Sequence, residues 1–149
     1  MTRTGGAVRT GSGIAALSRR AAGPLSVAGG AAAGLTYLAV ADPNEPGHYP
    51  TCPFLALTGL FCPGCGSLRA LHALVTGNPV EALDRNPLTV LVVPFVAVAW
   101  VLWLRRSLGR PGRPPAVPAV RPALIWTLLA AVVAFWIVRN LPGATWLAP

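Results

Sequence analysis

The sequence predicts an all-α integral membrane protein with three transmembrane helices and a short helical subdomain at the outer membrane interface. Of its 149 residues, 54% are apolar and only 11% are charged, whereas soluble domains carry about 25% charged residues. The apolar residues are concentrated in three long segments, which suit a hydrocarbon core roughly 30 Å thick. A soluble bundle is disfavoured because these segments leave no polar helical face to meet water.

Three segments are predicted to span the bilayer: residues 21–41, 87–104 and 122–138. The first is rich in Gly and Ala, and the second and third each end directly before an arginine. None of them contains a charged residue. This absence argues against a proton pump or an ion-coupled carrier, since such proteins need ionisable groups within the membrane.

The distribution of arginines predicts the orientation. The tail 1–20 and the connection 105–121, a Pro- and Arg-rich linker, are strongly basic, whereas the connection 42–86 holds two arginines beside all four acidic residues. The positive-inside rule therefore places the N-terminal tail and the linker in the cytoplasm. The connection 42–86, called the outer segment below, and the tail 139–149 then lie on the outer side of the cell membrane.

The first apolar segment has an alternative interpretation. Ser18-Arg19-Arg20, followed by an apolar stretch and by Ala-Val-Ala at 39–41, resembles a twin-arginine leader with a cleavage site. The arginine pair is followed by two alanines rather than by the bulky apolar pair usual in such leaders. Cleavage remains open at this point, and in either case the outer segment lies outside.

The net charge of +8 does not indicate a nucleic-acid partner, because the arginines form no stripe interleaved with aromatic residues. No phosphate-binding loop, Ser/His/Asp arrangement or zinc-protease motif is present. The sequence therefore predicts the lipid bilayer, and a further membrane protein, as partners, and favours a non-enzymatic role.

Two short amphipathic helices are predicted within the outer segment. Apolar residues recur at helical spacing over 66–76, with Gly77 as a stop. Asn-Pro-Val-Glu at 78–81 is typical of an N-cap, a first-turn proline and a capping-box acid. Asn86-Pro87 repeats the cap and proline where the second span begins.

All three cysteines lie in the outer segment, and residues 62–66 read Cys-Pro-Gly-Cys-Gly. This run is typical of a metal knuckle, a tight turn whose backbone N–H groups point at a cysteine sulfur. Gly66 tolerates the positive φ that such a turn needs.

Three chemistries are open to the cysteines. Cys52, Cys62 and Cys65 are predicted to bind zinc with His72 or His48 as the fourth ligand. In an oxidising location, Cys52 could instead pair with either of the other two in a structural disulfide. A thiol-exchange pair at a helix N-terminus is the third option, although no thioredoxin-like βαβ pattern accompanies it.

The outer segment also carries a family pattern. It comprises Cys52-Pro53, Leu57-Thr58-Gly59, Cys62-Pro63-Gly64-Cys65-Gly66, Arg69-Ala70, Leu74, Gly77, Ala82 and Asn86-Pro87-Leu88. This pattern, over residues 52–91, resembles a bacterial family of small membrane proteins known only as a domain of unknown function. Relatives often have Thr directly before the arginine, where this chain has Leu68. The resemblance implies a fold type and a membrane location, and no activity.

The predicted function is that of a multi-pass bacterial cell-membrane protein, an accessory or interaction subunit whose cysteine knuckle stabilises its outer surface. The alternative is a membrane protein that uses Cys62 and Cys65 for thiol-redox chemistry or for metal handling.

Overall fold

The regular structure of the chain is helical. The computed structural model describes residues 10–45, 47–109, 121–144 and 147. These residues form α1 (Thr10–Val40), α2 (Pro53–Thr58), α3 (Ser67–Val75), α4 (Pro79–Arg85), α5 (Pro87–Leu108) and α6 (Pro122–Arg139). The described ranges contain no β-strand, which confirms the predicted all-α fold.

Three helical segments are long and apolar enough to cross a membrane: Ser18–Val40 within α1, and the whole of α5 and α6. Most of their large apolar side chains are exposed, and α5 has no buried residue. A bilayer would cover these surfaces. The helices extend beyond the predicted spans: α1 begins at Thr10, α5 continues past Leu104, and α6 includes Arg139, because Ala, Leu and Arg all favour helix.

Several predicted regions lie partly outside the described residues. Residues 1–9 of the basic tail, 110–120 of the linker, and four positions of the outer tail (145, 146, 148 and 149) are among them. The side of the membrane on which each connection lies stays a prediction.

The outer segment contains three short helices, one more than predicted. Helix α2 begins after Cys52 with Pro53 at its first position and ends at Thr58, and its C-cap Gly59 has a left-handed φ of 71°. A proline at the start and a glycine at the end are common helix boundaries. The sequence interpretation missed α2 because its six residues make fewer than two turns of about 3.6 residues and give no readable periodicity.

The two predicted short helices, α3 and α4, are confirmed, and so are the asparagine caps predicted at the starts of α4 and α5. The side-chain oxygen of Asn78 accepts a hydrogen bond from the backbone N–H of Glu81 at 3.2 Å, and that of Asn86 accepts one from Thr89 at 3.1 Å. Each cap satisfies one N–H group that the first helical turn leaves unpaired. Gly77, with a φ of 85°, follows the end of α3.

A small alanine core joins the outer helices. Ala70 and Ala73 of α3 and Ala82 of α4 are almost completely buried, and Leu74 and Val90 pack against them. Alanine side chains allow these helices to approach closely. Helix α3 therefore packs against α4 and α5, and it also contacts α1.

One end of each long helix meets the outer segment. The carbonyl of Leu38, near the end of α1, lies 2.7 Å from the ring of His72 on α3. Asn86, at the start of α5, and Arg139, at the end of α6, both donate to the carbonyl of Cys65. The C-terminal ends of α1 and α6 and the N-terminal end of α5 thus lie on the same side of the molecule, as three successive spans require.

Candidate metal centre

The sulfur atoms of Cys52, Cys62 and Cys65 converge on one point, and we call these residues the three-cysteine centre. Their Sγ atoms all lie within 4.8 Å of one another. The Sγ of Cys62 is 3.2 Å from that of Cys65 and 3.6 Å from that of Cys52. A tetrahedral ion with Zn–S bonds of about 2.3 Å places its sulfur ligands roughly 3.8 Å apart. The three free thiols are therefore spaced approximately as ligands of one ion.

Each cysteine occupies a helix boundary or a tight turn. Cys52 is the N-cap residue of α2. Cys62 and Cys65 begin and end a turn in which the N–H of Cys65 donates to the carbonyl of Cys62 at 3.1 Å. Gly66 follows with a φ of 80° as the N-cap of α3, which confirms the need for glycine there. The backbone N–H of Cys62 also donates to the sulfur of Cys65 at 3.2 Å.

The surroundings of Cys52 and Cys65 shift the pKa values of these two thiols in opposite directions. The backbone N–H of Leu55 donates to the sulfur of Cys52 and lowers the pKa of this thiol below its ordinary value of 9.0. Burial raises the pKa of Cys65 to about 12. In the metal-free protein, Cys52 is therefore more readily ionised than Cys65.

Asn86 connects the cysteine turn to α5. Its side chain is fully buried. The amide nitrogen lies 3.0 Å from the carbonyl oxygens of Pro63 and Cys65 and 3.3 Å from the hydroxyl of Ser67. The same residue caps α5 through its oxygen, so one side chain fixes the position of the turn relative to the second long helix.

Arg139 contacts the same turn from the end of α6. Its residue surface is only 2% exposed. The two terminal nitrogens donate to four carbonyl oxygens, those of Cys62 (3.0 Å), Pro63 (3.4 Å), Cys65 (3.2 Å) and Leu147 (2.9 Å). The guanidinium also lies over the rings of Phe61 and Phe135, 5.9 Å and 5.1 Å from their centroids.

Among the described residues, Arg139 forms no ion pair with a carboxylate side chain. The four acidic residues of the chain lie elsewhere: Asp42 near His72, Glu45 near His48, Glu81 near Arg85, and Asp84 exposed on α4. The thiols of Cys65 and Cys62 are the groups whose ionised forms would attract this cation. A buried cation without an anion is costly, by several kcal/mol in effective terms.

Asn140 adds a second link between α6 and the residues before the turn. Its side-chain oxygen accepts from the N–H of Phe61 at 2.8 Å, and its amide nitrogen donates to the carbonyl of Phe61 at 2.9 Å. The sequence analysis missed this role, and that of Arg139, because it treated the arginine only as the end of a span. Their partners are more than 70 positions away, a pairing that no local pattern reveals.

The predicted histidine ligands lie away from the three-cysteine centre. The ring of His72 faces the end of α1, with Nδ1 2.7 Å from the carbonyl of Leu38 and Nε2 3.8 Å from the carboxylate of Asp42. The exposed ring of His48 lies 3.9 Å from Glu45. The structure thus brings three of the four predicted metal ligands together and does not bring His72 to them.

The three-cysteine centre lines a cavity of about 550 Å³. Arg69 is another lining residue, and its Nε donates to the carbonyl of Pro43 at 3.4 Å. Arg69 forms no ion pair among the described residues. The exposed side chain of Glu45 also borders this cavity.

A comparison with known families gives a match over the part of the chain that contains the three cysteines. Residues 52–100 match the model of a family described as a protein of unknown function (DUF2752). This match confirms the resemblance to a family of unknown function. No curated protein and no solved structure matches the chain.

The DUF2752 match begins at Cys52 and ends within α5. It therefore includes the whole three-cysteine centre and Asn86, which positions its turn. Arg139 and Asn140 lie outside the matched residues, so the chain completes the surroundings of the centre with a helix beyond the DUF2752 region.

Proposed function

We propose that this chain is a multi-pass membrane protein whose three-cysteine centre binds one thiophilic metal ion, with zinc as the best fit. The ion has a structural role, and the protein acts as an accessory or interaction subunit rather than as an enzyme. The observation that carries this proposal is the convergence of three Sγ atoms within 4.8 Å. Sulfur ligands in this arrangement favour soft or borderline ions such as zinc.

The buried charge of Arg139 supports a metal centre over a disulfide. Three thiolates around a divalent ion carry a net charge of −1, because three negative charges are added to two positive ones. This charge balances one guanidinium. Three neutral thiols, or a disulfide with one thiol, would leave Arg139, at a site that is 2% exposed, without an anion among the described residues.

The hydrogen bonds around the centre support a structural role. Asn86 and Arg139 bind the carbonyls of the cysteine turn from the ends of α5 and α6. A metal ion that fixes the turn would also fix the acceptors of both side chains. Loss of the ion would then loosen the connections between the turn and two of the long helices.

The exposed apolar surface supports a membrane location. Large apolar side chains are exposed along α1, α5 and α6, where acyl chains would cover them. Leu57 of α2, with 87% of its surface exposed, extends this apolar surface into the outer segment and supports contact with the lipid boundary or with a second membrane protein. The arginine distribution favours the cell membrane with a cytoplasmic N-terminus.

Thiol-redox activity is the second candidate function. It is favoured by the contrast between Cys52, whose pKa is lowered by the N–H of Leu55, and Cys65, whose pKa is raised by burial. The more readily ionised thiol would attack a partner, and a neighbouring thiol would resolve the mixed disulfide.

A chelation experiment tests the structural metal. The thermal midpoint of the detergent-solubilised protein should fall when a zinc chelator is added, because a ligand that binds only the folded state stabilises it. Cys65→Ser should lower the midpoint similarly and remove most of the response to chelator. Thr51→Ala, next to Cys52 and exposed, serves as the control and should respond like the wild type.

Two results would argue against this proposal. If the chelator is shown to have removed the metal and the thermal midpoint is unchanged, a structural ion is excluded. Recovery of a mixed disulfide from a well-folded Cys65→Ser variant would favour the redox function instead, since thiol exchange proceeds through that intermediate.

A further inference from the structure

We propose that the three-cysteine centre reserves one coordination position for an external ligand, and that this ligand is a small thiolate that enters through the adjoining cavity. This inference rests on the proposed metal centre. It goes further, because it makes the outer segment a binding site for thiol compounds rather than a closed structural knuckle.

The chain supplies three ligands to the centre. Both histidines and all four acidic residues lie within the described part of the chain, and none of them belongs to the cluster formed by the three sulfurs. The His72 ring is already engaged with Leu38 and lies near Asp42. Zinc sites with three protein ligands characteristically keep the fourth position for a ligand from outside.

The fourth position has an access route. All three cysteines line the cavity of about 550 Å³, together with Tyr49 and Arg69. This volume falls within the roughly 300 to 1,000 Å³ of small-molecule sites. A closed structural zinc site would be surrounded by protein, whereas this centre forms part of a cavity wall.

The positive charges around the centre favour an anionic ligand. A fourth thiolate would change the charge of a divalent centre from −1 to −2. Arg139 provides one positive charge behind the turn, and Arg69 provides a second one in the wall of the cavity. Glu45 also borders the cavity, but its side chain is 68% exposed and lies near His48, so water screens its charge. The two arginines therefore balance a four-thiolate centre.

Binding involves no change in oxidation state. The incoming thiol loses its S–H proton to solvent, and its sulfur takes the fourth position of the metal in place of a water molecule, which is released. A neutral nitrogen donor such as imidazole can occupy the same position but brings no charge, so Arg69 should affect the two ligands differently.

Cobalt substitution provides the test. The full-length protein, loaded with Co²⁺ under anaerobic conditions, should show sulfur-to-cobalt charge-transfer bands. Titration with 2-mercaptoethanol should then change the cobalt d–d spectrum in a saturable manner, and imidazole should do so separately. His72→Ala and His48→Ala should leave the starting spectrum unchanged, because neither ring is a ligand.

Two arginine variants test the charge argument. Arg69→Gln should weaken binding of 2-mercaptoethanol by roughly fivefold, as expected for the loss of about 1 kcal/mol of charge interaction, and should change imidazole binding less than about twofold. Arg85→Gln removes the same charge from α4, where Arg85 pairs with Glu81, and should change neither affinity.

The outcomes separate this inference from the proposal on which it rests. Absence of charge-transfer bands in the wild type would contradict the metal centre itself. Three other results would overturn the external position while retaining the metal centre. These are normal bands with no response to either ligand, removal of the cobalt by the thiol, and a starting spectrum that changes in His72→Ala. Equal weakening of both ligands in Arg69→Gln would overturn the preference for a thiolate.

Discussion

The guanidinium of Arg139 donates to the carbonyl oxygen of Cys62 at 3.0 Å, across 77 positions of sequence. This contact joins the last turn of α6 to the first cysteine of the Cys-Pro-Gly-Cys turn. The region that matches the known family ends at residue 100, so the contact lies between that region and a helix outside it. We therefore expect a change that destabilises the end of α6 to destabilise the cysteine turn as well.

Replacement of Arg139 tests this dependence. Arg139→Gln should lower the free energy of unfolding in detergent by about 3 kcal/mol or more, the usual consequence of breaking a buried charged network, and should reduce the metal content of the purified protein. Arg139→Lys should retain more metal than Arg139→Gln because it keeps the charge. Arg121→Gln, an exposed arginine at the other end of α6, is the matched control. Wild-type metal content in Arg139→Gln would show that the centre does not need this cation.

Two helix-capping asparagines provide a second matched comparison. Serine is as good an N-cap as asparagine, so Asn78→Ser at the exposed start of α4 should change the free energy of unfolding by less than about 0.5 kcal/mol. Asn86→Ser keeps the cap of α5 but removes the amide that donates to Pro63 and Cys65. The Pro63 and Cys65 carbonyls keep Arg139 as a donor, so each lost Asn86 hydrogen bond should cost roughly 0.5 to 1.5 kcal/mol. Equal effects in the two variants would mean that Asn86 acts only as a cap.

Thiol reactivity in the reduced, metal-free protein should follow the local environments. Cys52 should react with iodoacetamide at lower pH than Cys65, because the N–H of Leu55 lowers the pKa of Cys52 and burial raises the pKa of Cys65 to about 12. Peptide mass spectrometry after short labelling pulses at several pH values measures the order. The reverse order would contradict the described burial of Cys65.

The same shift predicts a pH dependence of stability. The folded metal-free protein keeps the Cys65 proton up to about pH 12, whereas the unfolded thiol has a pKa near its ordinary value of 9.0. The resulting stability is fully present below pH 9 and is lost as the pH rises from there towards 12. Denaturant unfolding at about pH 8 and about pH 10.5 should show the loss in the wild type, and Cys65→Ser should show a smaller one. A wild-type protein that is as stable at the higher pH as at the lower one would refute the raised pKa of Cys65.

Much of the fold could be predicted because its signals are local. The caps at Asn78 and Asn86 and the left-handed Gly66 each depend on residues within one helical turn, and the structure has all three. The three long apolar helices follow from composition alone. By contrast, α2 is too short to show a period.

The surroundings of the three-cysteine centre could be predicted only in part. Nearness in sequence indicated that Cys52, Cys62 and Cys65 act together, since all three lie in the outer segment. The choice of His72 or His48 as the fourth ligand rested on their presence in the outer segment, and nearness along the chain cannot show that the helical face of His72 meets α1 at Leu38. The role of Arg139 depends on how α6 packs against the turn, and sequence patterns do not describe packing between distant segments.

Orientation across the membrane rests on the arginine distribution and can be measured by labelling. In a background lacking the native cysteines, Glu45→Cys should react with an impermeant maleimide in intact cells. Ser12→Cys and Ala116→Cys should be protected until the cells are opened, because the positive-inside rule places both regions in the cytoplasm. Labelling of Ser12→Cys but not Glu45→Cys would reverse the orientation and would move the three-cysteine centre to the cytoplasmic side.

Native mass spectrometry of the full-length protein, purified without reducing agent or added metal and compared before and after alkylation, tests the metal centre most directly. The account predicts one bound zinc ion per chain and no alkylation of Cys52, Cys62 or Cys65 until a chelator removes the ion, after which all three thiols react. A metal-free mass that is two hydrogens lower than the reduced chain, with one thiol open to alkylation, would show a disulfide and contradict the account.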